Sequence, residues 1–162
     1  MLELITISEV NDALAEMVAF FRVELRSYKG LVSKPNVDAG REEMEEYLSA
    51  GFPVFAAMVD GQYAGYVVCR VDSEVVWVES IFVKEEYRRH GVASALHSKA
   101  EEIAASYGED TVYNYVHPNN HRMIEFLRKR GYTVLNLIEI RKPYQGEKLT
   151  QVIHVEEHEF DY

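Results

Sequence analysis

One carboxylate stands alone in an otherwise apolar run. Glu79 interrupts Val75-Val76-Trp77-Val78-Glu79-Ser80-Ile81-Phe82-Val83. A carboxylate in partly apolar surroundings holds its proton more tightly than one in water, which suits a general base working near neutral pH. The plainer reading is an exposed glutamate at the edge or end of a strand. Strand alternation puts Glu79, Ile81 and Val83 on one face, unless a bulge shifts the register. Shortly after this run comes Arg88-Arg89-His90-Gly91-Val92-Ala93-Ser94, which reads as a turn opening a helix. The first-turn amides of a helix have no partners within it, and the helix dipole adds partial positive charge there. Gly91 lets a ligand approach the backbone, Ala93 leaves the approach clear, and Arg88 and Arg89 add cationic charge. Such a place binds phosphate or pyrophosphate. The competing reading is an ordinary strand-to-helix turn with surface arginines. Neither a Walker loop nor a dinucleotide fingerprint occurs in the chain.

Other reactive side chains form weaker patterns. His154-Val155-Glu156-Glu157-His158 matches a zinc-peptidase spacing. That pattern needs a helix to aim both histidines at one metal, whereas this segment reads as strand, so no metal site is assigned. His90, His97, His117 and His121 lack ligand spacing and read as surface or capping residues. Cys69 lies in a hydrophobic strand and reads as a small buried hydrophobe.

The elements that must position these groups belong to a chain of 162 residues. Its apolar content, 48%, is enough for a packed core, and 9 Gly with 4 Pro are too few for a fibrous or disordered chain. The length suits one domain over residues 1–162. No apolar run has the roughly 20 residues of a membrane helix. A single cysteine points to a reducing cytoplasm. The net charge of -10 argues against nucleic acid and anionic membranes as partners. That charge is uneven: residues 81–132 hold 7 acids and 8 bases, while the first 50 residues hold 10 and 5. The one stretch that escapes the acidity contains the arginine turn.

Periodicity predicts a strand over 2–7, a helix capped by Asn11 or Asp12, a loop over 29–37 and an acidic helix over 42–48. Strands follow over 54–59, 63–71 and 75–83, joined by turns at Asp60-Gly61 and Asp72-Ser73-Glu74. A helix from Val92 to Tyr107, a strand over 111–116, a helix carrying Met123, Ile124 and Leu127, and strands over 132–140 and 149–155 complete the order. This is an α/β domain with a mixed, mostly antiparallel central sheet and flanking helices.

At these residues the sequence resembles the GCN5-related N-acetyltransferases. Their signature, Gln/Arg-x-x-Gly-x-Gly/Ala five residues after a strand valine, is matched by Val83 and Arg88-x-x-Gly91-x-Ala93. A second family feature, an Asn-led helix closing in Gly-Tyr, is matched from Asn120 to Gly131-Tyr132. The resemblance implies the acyl-CoA N-acyltransferase fold, acetyl-CoA as acyl donor and a primary amine of a small molecule or protein as acceptor. It implies pyrophosphate binding by Arg88, Arg89, His90, Gly91, Val92, Ala93 and Ser94. It implies pantetheine contacts from Ile81, Phe82 and Val83, and a place for Asn120 near the pantetheine or thioester. A bulge in that strand, splaying it from the next, is also implied, as is Glu79 as catalytic base. Family members often dimerise, so a homodimer is an expectation. The tyrosine that many members carry seven residues after the Asn is replaced by Leu127. Tyr113, Tyr115 and Tyr132 are the remaining candidates for an acid. The replacement leaves open a second reading, a regulatory module that binds coenzyme A without catalysis.

Overall fold

Asp60 and Gly61 both take left-handed backbone angles, φ 48° and 80°. Two successive positive φ values twist a two-residue turn to match its flanking strands. They therefore fold β2 (Val54–Val59) back on β3 (Gln62–Asp72), with Val59 opposite Gln62. Ser73 and Glu74, φ 50° and 70°, repeat the device between β3 and β4 (Val75–Val83). β1 (Leu2–Thr6) runs antiparallel along β2. A parallel neighbour needs a crossover, and α3 (Val92–Ser106) supplies it, returning the chain to β5 (Tyr113–Asn114) beside β4. The sheet order is β1-β2-β3-β4-β5, antiparallel except for its last pair.

The structure is a computed structural model that describes residues 1–162. The chain forms two compact units, Met1–His117 and Pro118–Tyr162. In the first, α1 (Asp12–Ser27) and α2 (Val37–Ser49) cover one face of the sheet. Leu14, Met17, Val18 and Met44 pack there against Val54, Ala56, Tyr66, Val68 and Phe82. Leu96 of α3 reaches the other face, within 3.2 Å of where a Cβ on Gly65 would stand. Asn11 caps α1 by accepting from the Leu14 N–H, and Asn36 caps α2 by accepting from the Ala39 N–H. The second cap starts α2 five residues before the predicted Glu42, because its oxygen satisfies a first-turn amide that would otherwise be orphaned.

The second unit holds α4 (His121–Lys129) and a two-stranded antiparallel sheet, β6 (Val152–Val155) with β7 (His158–Asp161). α4 closes in a Schellman motif: Gly131 N–H donates to Arg128 and Tyr132 N–H to Leu127, with Gly131 at φ 92°.

Three predicted strands change. The 111–116 strand is reduced to Tyr113–Asn114, and the 149–155 strand to Val152–Val155. Residues 132–140 lie outside both sheets, with Val134, Leu135, Leu137 and Ile140 exposed. Strand propensity measures fit to a paired, half-buried surface, and here no strand pairs with the segment. The order of element types nonetheless matches the predicted one, because β7 occupies the last place.

Gly40 of α2 lies close against α1, where an added Cβ would collide with the Ala15 carbonyl. Alanine is the better helix former, but overpacking against fixed backbone outweighs propensity. Gly40→Ala is therefore expected to lower stability by about 1–3 kcal/mol in urea unfolding. A variant as stable as the parent would contradict the close approach.

Candidate active site

The site begins with a register shift. Val68 of β3 pairs with Ser80, but its neighbour Cys69 pairs with Val78, so Glu79 has no partner across the ladder. This is a β-bulge, and the unpaired residue is the lone carboxylate of the strand. Its consequence is visible in the side chains. Tyr66, Val68 and Arg70 share one face of β3 by alternation. The Ser80 Oγ lies 2.8 Å from the Tyr66 hydroxyl, and Arg70 Nε donates to Glu79 Oε2 at 3.0 Å. The consecutive residues Glu79 and Ser80 thus both look toward α1 and α2. The expected face-sharing of Glu79 with Ile81 and Val83 does not hold, because the bulge breaks the alternation on which it rested. Nor are the surroundings of Glu79 chiefly apolar. Its side chain is 28% exposed and ion-paired with Arg70.

Nearby groups agree with this placement. The Tyr47 hydroxyl of α2 is pushed up to about 12, first by burial, then by the Glu43 charge, with Glu79 contributing further. Tyr66, fully buried, is pushed up further by desolvation and stays a neutral hydrogen-bonding phenol. Cys69 is buried as expected, and desolvation pushes its thiol up to about 12, so it is no nucleophile.

The bulge also marks where the sheet opens. β5 pairs with β4 only at Trp77 and Val78. From Glu79 to Val83, β4 has β3 on one side and no strand on the other. Ile81, Phe82 and Val83 occupy this unpaired run, with Phe82 and Val83 buried and Ile81 half-buried.

β4 leads directly into the arginine turn. A single 3-10 turn over Glu85–Tyr87 is followed by Arg89 at φ 63° and Gly91 at φ 79°. α3 starts at Val92 with no side chain capping it, and its first internal bond runs from Ala95 N–H to the Gly91 carbonyl. The amides of Val92, Ala93 and Ser94 therefore have no helical partner. A Cβ on Gly91 would meet nothing within 4 Å, so the space before these amides is open. Arg89, His90 and Gly91 are exposed and Ala93 half-buried.

Arg88 has a different job from the one its charge suggests. Its Nε donates to the Val83 carbonyl at 2.8 Å, and its Nη2 bonds Glu24 of α1. Its guanidinium lies 5.7 Å from the Phe82 ring centroid. Arg88 clasps the turn to the end of β4, with much of its charge answered by Glu24.

Asn120 belongs to the second unit, where its Oδ1 caps α4 by accepting from the Met123 N–H at 3.1 Å. Leu127 is buried there. Within the first unit the fold brings together Glu79, Ile81, Phe82, Val83 and the 88–94 turn along one strand-to-helix path. Tyr113 and Tyr115 stack on Trp77. The zinc-like histidines fall on the hairpin, His154 on β6 and His158 opposite Val155 on β7. His97 departs from the surface reading: it is fully buried, with Nε2 3.1 Å from Asn114 Oδ1 and Nδ1 3.4 Å from Glu101, and so ties α3 to β5. Sequence reasoning also missed Arg70 and Glu24. Counting outward from the Ser73-Glu74 turn pairs residue 70 with 77, and alternation sets 79 on the same face, diagonal to Arg70.

Known proteins share this fold. Residues 17–132 match the family described as Acetyltransferase (GNAT) family. An uncharacterised N-acetyltransferase of Methanocaldococcus jannaschii is 32% identical over 85 residues, 48% of this chain and 38% of that protein. The matched region thus spans well under half of that curated relative. The aminoglycoside N-acetyltransferase AAC(6')-Iy, bound to a coenzyme A bisubstrate analogue, superposes with TM-score 0.65 at 21% identity, covering 89% of this chain and 99% of that one. A ribosomal-protein-alanine N-acetyltransferase from Brucella melitensis gives TM-score 0.63 at 14% identity, covering 89% and 100%. At such identities these two likenesses are of fold.

If the open amides of α3 hold a pyrophosphate, a side chain at Gly91 fills that space and strains a left-handed position. Gly91→Val is expected to weaken acetyl-CoA binding at least tenfold by calorimetric titration, with circular dichroism confirming the fold. Unchanged affinity would remove the pyrophosphate from this turn.

Proposed function

The chain belongs to the GNAT acetyltransferase family, and from that premise we propose that it transfers an acetyl group from acetyl-CoA to a primary amine of a small molecule or protein. Acetyl-CoA is the acyl donor of enzymes in this family. The observation that carries the reading is the bulge at Glu79, which sets a carboxylate where an unpaired strand edge begins and runs on to an uncapped helix start. The family match extends over residues 17–132, across the boundary between the two units, and supports treating the chain as one acetyltransferase domain.

In this reading the pyrophosphate rests on the turn from Arg88 to Ser94. The amides of Val92, Ala93 and Ser94 meet its charge with the helix dipole. The backbone of Ile81, Phe82 and Val83, free of a strand on one side, hydrogen-bonds the pantetheine arm, as a missing strand would.

An amine must lose a proton before or as it attacks the thioester, and Glu79 takes that proton directly or through a water. Arg70 then acts as a positioning residue: its Nε fixes the Glu79 carboxylate and leaves the other oxygen, Oε1, for the acceptor side. The tetrahedral oxyanion is met by a backbone N–H near Ile81 or Phe82. The carbon–sulfur bond then breaks, the acetyl group stays on nitrogen, and sulfur leaves as thiolate. A thiol pKa near 8.5 makes that leaving group tolerable, with water as proton source. Leu127 stands where many relatives have a tyrosine, so no side-chain acid is assigned. Tyr113 and Tyr115 are engaged in ring stacking instead. The single buried Cys69 fits a reducing, cytoplasmic setting.

Leu127 also favours the second reading, a coenzyme A-binding module without turnover. One experiment separates the two. Thiol release from acetyl-CoA is followed with a panel of amines for the parent and Glu79→Gln. The enzyme reading expects turnover by the parent and a fall of about 10²-fold or more in kcat for the variant, with donor affinity kept. Binding without turnover across the panel would favour the module, and parent-like turnover by Glu79→Gln would take the base role from Glu79.

A further inference from the structure

Glu79 has an aromatic neighbourhood that neither donor binding nor proton removal uses. Trp77, the only tryptophan of the chain, lies opposite Arg70 on β3 and opposite Tyr113 on β5. Its ring meets Tyr113 at 4.8 Å and 34°, and stacks on Tyr115 at 5.0 Å and 12°. The Arg70 guanidinium sits 5.0 Å from the indole centroid and reaches Glu79 with its Nε. These contacts place the three rings, Arg70 and Glu79 on the same face of the sheet, the face toward which the bulge turns the carboxylate.

Tyr115 is 64% exposed. It lies just past the point where β5 stops pairing with β4. One surface of the ring is covered by Trp77 and much of the rest is open. Trp77, which stacks on it, is half-buried and is itself packed against Tyr113. A stacked tyrosine held open beside a proposed base is a shelf facing the acceptor.

The chemistry of the occupant follows from the ring faces and the charge around them. Aromatic faces attract cations, and Arg70 over Trp77 is this protein's own instance. The β3–β4 hairpin that carries Trp77 is acidic: it holds Asp72, Glu74 and Glu79 against one base, Arg70, which is itself paired with Glu79. A second cation is attracted by this field and an anion is repelled.

We propose that Tyr115, backed by Trp77, is an acceptor subsite for a second cationic group, an ammonium or guanidinium separate from the amine that is acetylated. The subsite selects polycationic acceptors over monoamines. The proposal rests on the acetyl-transfer reading for the placement of the reacting amine beside Glu79. It adds no covalent step, only a place for the far end of the acceptor.

Because Trp77 is the sole tryptophan, its emission reports on the shelf directly, whether or not acetyl transfer occurs. Spermidine and n-butylamine are titrated into the coenzyme A-loaded protein at constant ionic strength, for the parent, Tyr115→Phe and Tyr115→Ala. The expected result is a saturable change in Trp77 emission with spermidine, at a concentration at least tenfold below any change with butylamine. Tyr115→Phe keeps that preference and Tyr115→Ala reduces it at least fivefold, with the far-ultraviolet circular dichroism of both variants unchanged. Equal responses to the two amines, no response to spermidine, or a full preference in Tyr115→Ala would each overturn the subsite. Calorimetric titration of coenzyme A and thiol release with the amine panel then show separately whether the acetyl-transfer reading stands.

Discussion

One residue too many in β4 governs the arrangement of the candidate site. β3 and β4 are otherwise a regular antiparallel pair, yet Glu79 has no partner in the ladder. An extra residue in one strand bends it and breaks the alternation of its side chains. Here that turns Glu79 to the same face as Ser80, against Arg70, and away from the face of Ile81. Immediately before it, β5 has its last pairing with β4, at Val78. Carboxylate, open strand edge and helix start therefore follow one another along a single stretch of chain, and no distant loop is needed to assemble them.

Two further devices keep this stretch in shape. Arg88 ties the turn to the Val83 carbonyl and to Glu24, so the residue that looks most like a phosphate ligand is engaged in holding the backbone of its own turn. His97, buried between Asn114 and Glu101, ties α3 to the short β5. Both are charged or polar groups with little exposure, and each is held by a polar partner on a neighbouring element, Glu24 for Arg88 and Asn114 for His97. The uncapped start of α3 is the contrast. Three other helices carry an asparagine cap, at Asn11, Asn36 and Asn120, and α3 alone begins with a glycine and free amides. A helix start left open where others are closed is where an anion would complete the capping.

Much of this was legible in the sequence, for local reasons. Asp60-Gly61 specified its turn because few residue pairs accept two positive φ values. Gly131 specified the end of α4, and the Arg88-to-Ser94 segment specified the turn that opens α3. The bulge itself was not legible from strand patterning, which counts alternation and cannot see an unpaired residue. Arg70 was missed for another reason: it lies opposite Trp77 and so diagonal to Glu79 on one face, a relation between two strands that reading each strand alone does not show. The acidic helix was legible as a helix but not at its start, since Asn36 looked like loop. Residues 132–140 were the reverse case. Their apolar alternation reads as strand, but a strand is a relation between two segments, and no second segment pairs with them.

The central claim, that coenzyme A lies along the Ile81–Val83 edge with its pyrophosphate on the start of α3, is tested most directly by backbone amide shifts. Nitrogen-15-labelled protein is titrated with acetyl-CoA and the amide resonances are followed residue by residue. The account predicts that the largest movements fall on Val92, Ala93 and Ser94, with a second group over Ile81, Phe82 and Val83, and none along β1. Saturable binding that leaves the α3 amides unmoved would contradict it.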